Sequence, residues 1–299
     1  MRSFIIMLTA MLLPLSLTAG ERNFEKKFNA TSGGLLTVDT DFGDVIIKGT
    51  SSGEVRVEAK LRGNKTDLDE FEITAVETGQ GIEVRGRGNK DDDWWSTGFD
   101  NLHVKFSIVV PEQYNVRLMT AGGDINIEAL DGTIQGETSG GDIILKNLRG
   151  EFTVETSGGD IVATELKGNM RGSTSGGDIR VSDLSGNASV ETSGGDIRIG
   201  GVSGNVVAET SGGDIAVTLT GSNKGVMAET SGGDIDIYTQ EGIRANLDAS
   251  TSGGSVICSL PITLAGEIDE SRVRGTINGG GELIRARTSG GDIRIKRSE

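Results

Sequence analysis

Asp178-Ile179-Arg180-Val181-Ser182-Asp183-Leu184-Ser185-Gly186-Asn187-Ala188-Ser189-Val190-Glu191-Thr192-Ser193-Gly194-Gly195 is one period of a repeat. Ile179, Val181 and Leu184 are the apolar positions of its first half. Ala188, Val190 and Thr192 alternate with Ser189 and Glu191 in the second. Alternation with a period of two marks a strand with one buried face. Gly186-Asn187 and Ser193-Gly194-Gly195 separate the runs, and both are turn sequences. One such period has too few apolar residues to enclose a core, so it must stack on its own copies.

The copies are present. Asp124, Asp142, Asp160, Asp178, Asp196 and Asp214 are spaced by 18 residues, Asp234 follows after 20, Ser255 takes the same place 21 residues on, and Asp292 closes the series. Ile follows each of them, or Val at Val256. The neighbouring periods keep the pattern, with Ile143, Leu145, Leu148, Phe152, Val154 and Thr156 before it and Ile197, Ile199, Val202, Val206, Ala208 and Thr210 after it. Stacked at a strand spacing of ~4.8 Å, equivalent residues become ladders. The predicted fold is all-β: a parallel β-helix, or solenoid, with one coil for each 18-residue period. It is expected to be right-handed, because parallel crossovers overwhelmingly are. The recurring Gly-Gly pairs are read as turns that need positive φ.

Outside the repeat the organisation changes. Residues 1–20 read as a secretory signal peptide: Arg2 is the one charge, Phe4 to Leu17 is apolar, and Thr18-Ala19-Gly20 offers small residues for cleavage. That stretch is too short for a good transmembrane span and no second one follows, so no transmembrane anchor is expected. Residues 21–118 are less regular but still strand-like, and read as an irregular β cap at the N-terminal end of the solenoid. A short helical turn is expected between Asp67 and Phe71. Residues 119–299 form the repeat solenoid, continuous with the cap. Near its end, residues 252–288 take about twice the usual length. Ile277-Asn278-Gly279-Gly280-Gly281-Glu282 reads there as the turn of an outgrowing hairpin or widened coil. The charged run Ile293-Arg294-Ile295-Lys296-Arg297 reads as a final edge strand protected from pairing with another chain.

Composition removes several functions. The formal net charge of −15 argues against nucleic acid, whose phosphates need a basic footprint. Cys258 is the single cysteine and His103 the single histidine, so neither an intramolecular disulfide nor a metal site rich in nitrogen and sulfur can form. His103 lies on the outward side of a strand beside Lys105, with no nucleophile elbow elsewhere in the chain. Cys258 holds the inward position of Leu145, Val181 and Ile199 and is expected to be a buried core thiol.

The repeat, together with Trp94-Trp95, the Val110-Pro111 to Leu118 segment, Thr120-Ala121-Gly122-Gly123-Asp124-Ile125 and Ile277-Asn278-Gly279-Gly280-Gly281, resembles the putative-adhesin family of bacterial exported proteins. The resemblance runs from Leu36 to Ile295. It implies a β-solenoid of unknown function and brings no catalytic residues with it.

Three features remain as candidate sites. The Asp column must offset repulsion of about 1 kcal/mol per stacked pair in water. Its carboxylates either accept hydrogen bonds from turn amides or bridge coils through calcium. A second acidic column, Glu137, Glu155, Glu191, Glu209 and Glu229, interrupted at Ser173, lies on the outward face of the return strand. It is a solvated face or a surface for cationic groups. Asp91-Asp92-Asp93-Trp94-Trp95-Ser96-Thr97-Gly98-Phe99 either plugs the cap or offers paired rings to a sugar or a protein. No catalytic, cofactor-binding or metal-binding residue is assigned, and no cofactor is expected. The expected function is a non-enzymatic envelope or cell-surface binding or scaffold protein, exported to the periplasm or the surface, with an envelope protein or a glycan as partner. The alternatives are a β-helical polysaccharide-active enzyme and a filament-forming envelope scaffold.

Overall fold

The computed structural model describes residues 20–88, 101–265 and 269–298. In the repeat each coil contributes two strands, such as Ile179–Ser185 and Ala188–Thr192, followed one coil later by Ile197–Val202 and Val206–Thr210. Neighbouring coils pair parallel and in register. Ile179 lies between Ile161 and Ile197, and Val190 between Gly172 and Ala208. Two parallel stacks result, one of strands that begin after Gly-Gly-Asp and one of strands that end in Thr. Their inward side chains fill the thin space between. The column Ile143, Ile161, Ile179, Ile197, Ile215, Ile235 and Ile293 is fully buried, as alternation requires. The repeat prediction therefore holds at the level of individual residues.

The turns work differently from expectation. Neither Gly176 nor Gly177 has a left-handed φ. The left-handed residues are at the opposite corner, at Asn147, Glu165 and Asp183, with φ between 50° and 58°, and at the glycines three positions on, Gly150, Gly168 and Gly186. What the Gly-Gly corner needs is room. A Cβ on Gly177 would lie 2.0 Å from the carbonyl oxygen of Gly159 in the coil beneath. On Gly176 it would meet nothing closer than 3.6 Å. The second glycine of each pair is fixed by stacking; the first is free of close contact at Gly176 but is tight at Gly253 and Gly290, where a Cβ would come within 3.1 and 3.2 Å of backbone oxygens.

Coil order in space departs from order in the sequence at both ends. Strands Leu35–Thr40 and Asp44–Thr50 do not start the stack. They lie between the coil made by Gly81–Gly88 and His103–Pro111 and the coil made by Asn115–Thr120 and Ile125–Glu128. At the other end Leu283–Thr288 and Ile293–Arg297 slot between Val226–Thr230 with Ile235–Thr239 and Ala245–Thr251 with Val256–Cys258. The charged C-terminal strand is thus paired on both sides and is not an edge. Its charges have a local use instead, since Lys296 Nζ sits 3.0 Å from Asp236 and Arg294 bridges Asp234 and Asp292. The Asn278–Glu282 segment is likewise no hairpin turn. It carries the chain over strand Ala245–Thr251, from Arg272–Ile277 on one side to Leu283–Thr288 on the other.

Antiparallel strands cover the outer coils. Glu54–Gly63 lies on His103–Pro111 and Gly20–Asn29 on Glu54–Gly63, while Phe71–Thr78 lies on Gly81–Gly88. The expected helical turn is helix Lys65–Glu70, whose N-cap Asn64 accepts from the Asp67 amide at 2.9 Å. At the far end Arg272–Ile277 covers Ala245–Thr251, with Ile262–Leu264 beside it.

Candidate functional site

The Asp column is continuous from Asp44 to Asp292 and one rung longer than the repeat suggests; in the coil outside Asp44 the position is Lys105. Each Oδ1 accepts the backbone amide of the next rung. Asp44 accepts from Asp124 at 3.2 Å, Asp124 from Asp142 at 2.9 Å, and Asp142 from Asp160 at 2.8 Å. The same bond joins Asp160 to Asp178, Asp178 to Asp196, Asp196 to Asp214 and Asp214 to Asp234 at 2.8–2.9 Å. It then passes to the inserted coil, where Asp234 accepts from Asp292 at 2.7 Å and Asp292 from Ser255 at 2.9 Å. Among the described residues Ser255 is the last rung, with no amide above it to receive, and this explains why a serine stands there. Its hydroxyl donates back to Asp292 at 3.1 Å.

These amides hold the Asp160, Asp234 and Asp292 carboxyls below the usual carboxylate range. Arginines bracket part of the column. Arg180 lies 3.0 Å from Asp160 and 2.6 Å from Asp178, and Arg294 lies 2.7 Å from both Asp234 and Asp292. The threonines complete the corner: Thr174 Oγ1 donates to the Gly159 carbonyl at 2.9 Å and accepts from the Gly177 amide at 3.3 Å. An uncharged ladder does the same at the opposite corner, where Asn169 accepts from the Asn187 amide and Asn187 from the Asn205 amide. The sequence displays it as Gly168-Asn169, Gly186-Asn187 and Gly204-Asn205. Among the described residues, no group of three or more His, Cys, Asp or Glu side chains is placed to hold a metal ion.

The Glu column also forms in register. Glu137 lies against Glu155, Ser173 interrupts, and Glu191, Glu209 and Glu229 follow. Beyond Glu229 the column continues through Arg287 to Ser250. This outward face is a shallow groove of about 520 Å³, floored by Glu191, Glu209, Glu229 and Arg287 and walled by the serines of the Thr-Ser-Gly-Gly turns.

The remaining candidates separate. His103 is exposed, with Lys105 exposed beside it, across from Arg62 on the covering strand. Cys258 takes the inward register expected, opposite Ile295, but is only half-buried because its coil is the outermost. Burial still pushes its thiol up, and its Sγ lies 3.8 Å from the Leu260 carbonyl. The Asp91–Phe99 loop with Trp94 and Trp95 lies outside the described residues. The structure adds one group that the sequence reading missed: Arg272, Arg274, Arg285 and Arg287, brought around Asp248 by the crossover at 278–282. Arg272-Val273-Arg274 and Arg285-Ala286-Arg287 are both legible as outward pairs, but their proximity is not.

Two solved structures align with most of the chain. A protein described as a putative lipid binding protein from Parabacteroides distasonis aligns with a TM-score of 0.50 at 12% identity, over 93% of this chain and 97% of that one. A putative adhesin from Bacteroides fragilis aligns with a TM-score of 0.43 at 14% identity, over 93% and 97% respectively. At 12% identity the first of these, with its TM-score of 0.50, is a likeness of fold. No curated protein matches the chain. The family model described as Toastrack DUF4097 matches residues 35–296.

Proposed function

The chain belongs to the Toastrack DUF4097 family, and from that premise we propose that it is a non-enzymatic binding or scaffold protein of the cell envelope or cell surface. In this reading residues 1–20 direct export, residues 21–118 cap the stack, and residues 119–299 present rigid β faces to an envelope protein or a glycan. No helix among the described residues is long and apolar enough to cross a membrane. The observation that carries the reading is how the column of carboxylates is used. Each Asp Oδ1 is taken up by a backbone amide, so the most regular acidic feature holds the coils together. The outward columns of Glu, Ser and Arg remain for contact, in a shallow groove that follows the repeat. Binding by such a face depends on many small contacts and little rearrangement.

The test is sedimentation of the purified chain with envelope fractions. Saturable association, with no release of reducing ends from envelope polysaccharide, is expected. No association, or steady release of reducing ends, overturns the proposal.

A second reading is end-to-end association into a filament. One observation favours it: the outermost strand of its stack at the C-terminal end, Val256–Cys258, is uncharged, carries exposed Ile257, and has only the Val256 amide–Glu270 carbonyl bond at 2.8 Å beyond it among the described residues. Sedimentation velocity showing one species across a wide range of concentration removes this reading.

A further inference from the structure

At the C-terminal end of the groove four strands lie side by side: Val226–Thr230, Leu283–Thr288, Ala245–Thr251 and the antiparallel Arg272–Ile277. Their registers set two outward rows. One row reads Met227, Arg285, Asp248, Arg274, and the next reads Glu229, Arg287, Ser250, Arg272. In each row two arginines flank one central position. In the first row the protein fills that position itself. The Asp248 carboxylate takes Arg274 Nε at 2.8 Å, and Arg274 holds its carboxyl below the usual range. In the second row the same position holds Ser250, a neutral residue whose hydroxyl makes no hydrogen bond among the described residues.

The guanidiniums of the second row are underused. Arg272 and Arg287 each approach Asp248 no closer than 3.9 Å, and Arg287 is again 3.9 Å from Glu229. Asp269 beside Arg272 is engaged by the amide and hydroxyl of Ser271 at 2.8 and 2.9 Å. In the first row, too, Arg285 Nε is shielded from solvent with no hydrogen-bond partner among the described residues. By contrast, Arg180 and Arg294 each meet two carboxylates at 3.0 Å or less. A guanidinium is a planar fork shaped for carboxylates, and two forks facing a small hydroxyl leave a place for one. We propose that the slot over Ser250, between Arg287 and Arg272, takes a carboxylate of an acidic glycan whose hydroxyls lie along the adjoining groove. The groove supplies the rest of the chemistry. Glu209 and Glu229 accept from sugar hydroxyls, and Ser231, Ser252 and Ser289 can donate or accept. A lining of carboxylates and hydroxyls has no apolar bed for an acyl chain, so a glycan suits it and a lipid does not. The inference rests on the envelope-binding reading and names its ligand class.

Maltohexaonate, which carries a single terminal carboxylate, is the probe, with maltohexaose as the uncharged control, titrated into the full chain by calorimetry. Wild type is expected to bind the acidic hexamer with an affinity that falls as salt rises, and to bind maltohexaose far less. Ser250→Asp fills the slot with an internal carboxylate, copying the first row. It should melt no lower than wild type and bind the hexamer at least about tenfold more weakly, the loss of a charge-assisted contact. Arg287→Gln, which disturbs packing less, should weaken binding in the same direction. Undiminished binding by Ser250→Asp or by Arg287→Gln overturns the slot, as does equal binding of maltohexaose. The two levels separate cleanly. Envelope association without hexamer binding sinks the slot alone, hexamer binding without envelope association sinks the envelope reading, and neither sinks both.

Discussion

Gly176 and Gly177 are adjacent and both stand in the same turn, but alanine should be costly only at Gly177. At Gly177 a Cβ would fall 2.0 Å from the Gly159 oxygen and 2.4 Å from its carbonyl carbon, and these are backbone atoms that cannot rotate away. Relief requires the two coils to part locally by about 1 Å. Three hydrogen bonds cross that gap: Asp178 N to Asp160 Oδ1 at 2.8 Å, Ile161 N to Asp178 O at 2.9 Å, and Thr174 Oγ1 to Gly159 O at 2.9 Å. Weakening all three, at about 1 kcal/mol each, makes the cost of Gly177→Ala about 3 kcal/mol before any strain is added. At Gly176 the nearest atom is 3.6 Å away and φ is not left-handed. Gly176→Ala should therefore be neutral, or stabilise by about 0.5 kcal/mol through the unfolded chain. Urea unfolding followed by far-UV circular dichroism reads both variants, provided the slopes agree with wild type. Equal midpoints for the two variants would refute the stacking argument.

Four further outcomes follow from the same geometry. Asp178→Asn keeps the acceptor for the Asp196 amide, as Asn187 does for Asn205, and loses the ion pairs with exposed Arg180 at 2.6 Å and exposed Arg198 at 3.8 Å, so its urea midpoint should move by about 1 kcal/mol or less. Asp178→Ala removes the acceptor and should cost about 1–2 kcal/mol in the same assay; equality with Asn would contradict the ladder. Folded pKa values depressed at Asp160, Asp234 and Asp292 contribute stability that is present above the unfolded carboxylate value of about 3.9 and is lost as pH falls through the folded values. The urea midpoint should thus be flat from pH 7 to about 5 and drop below about 4, less steeply in Asp160→Asn, and a midpoint that rises on acidification would oppose this. Truncation after Glu282 removes an interior coil and should abolish cooperative melting, whereas a trimmed edge strand would leave the transition nearly intact.

The repeating half of the fold was legible because its physics is local: Ile179, Val181, Ala188 and Val190 announce their faces by alternation alone. The order of the coils was not legible, because the rungs are interchangeable. Ile293 packs as well between Ile235 and Val256 as any other isoleucine of the column would, and nothing in Asp292-Ile293 says that two coils must part to admit it. Ser255 was the available clue, since a terminal rung needs no acceptor. Positive φ at the Gly-Gly corner holds at Gly123 and at none of the later pairs, because glycine serves two ends, left-handed backbone and close approach, and spacing cannot tell them apart. Gly150, Gly168 and Gly186 held the left-handed role in plain view. The arginine group was hidden for the same reason as the coil order: Arg272 and Arg287 flank Ser250 only once the chain crosses over Ala245–Thr251.

The claim on which the account turns is that the Asp column holds the coils through backbone amides and leaves recognition to the outward faces. Thermal melting of the full chain in chelator, in millimolar calcium and in sodium chloride of matched ionic strength tests it, with Asp178→Asn alongside. Amide capping predicts that calcium and sodium give the same small shift in both proteins. A rise of many degrees specific to calcium, lost in Asp178→Asn, would show that the column is a cation site and would contradict the account.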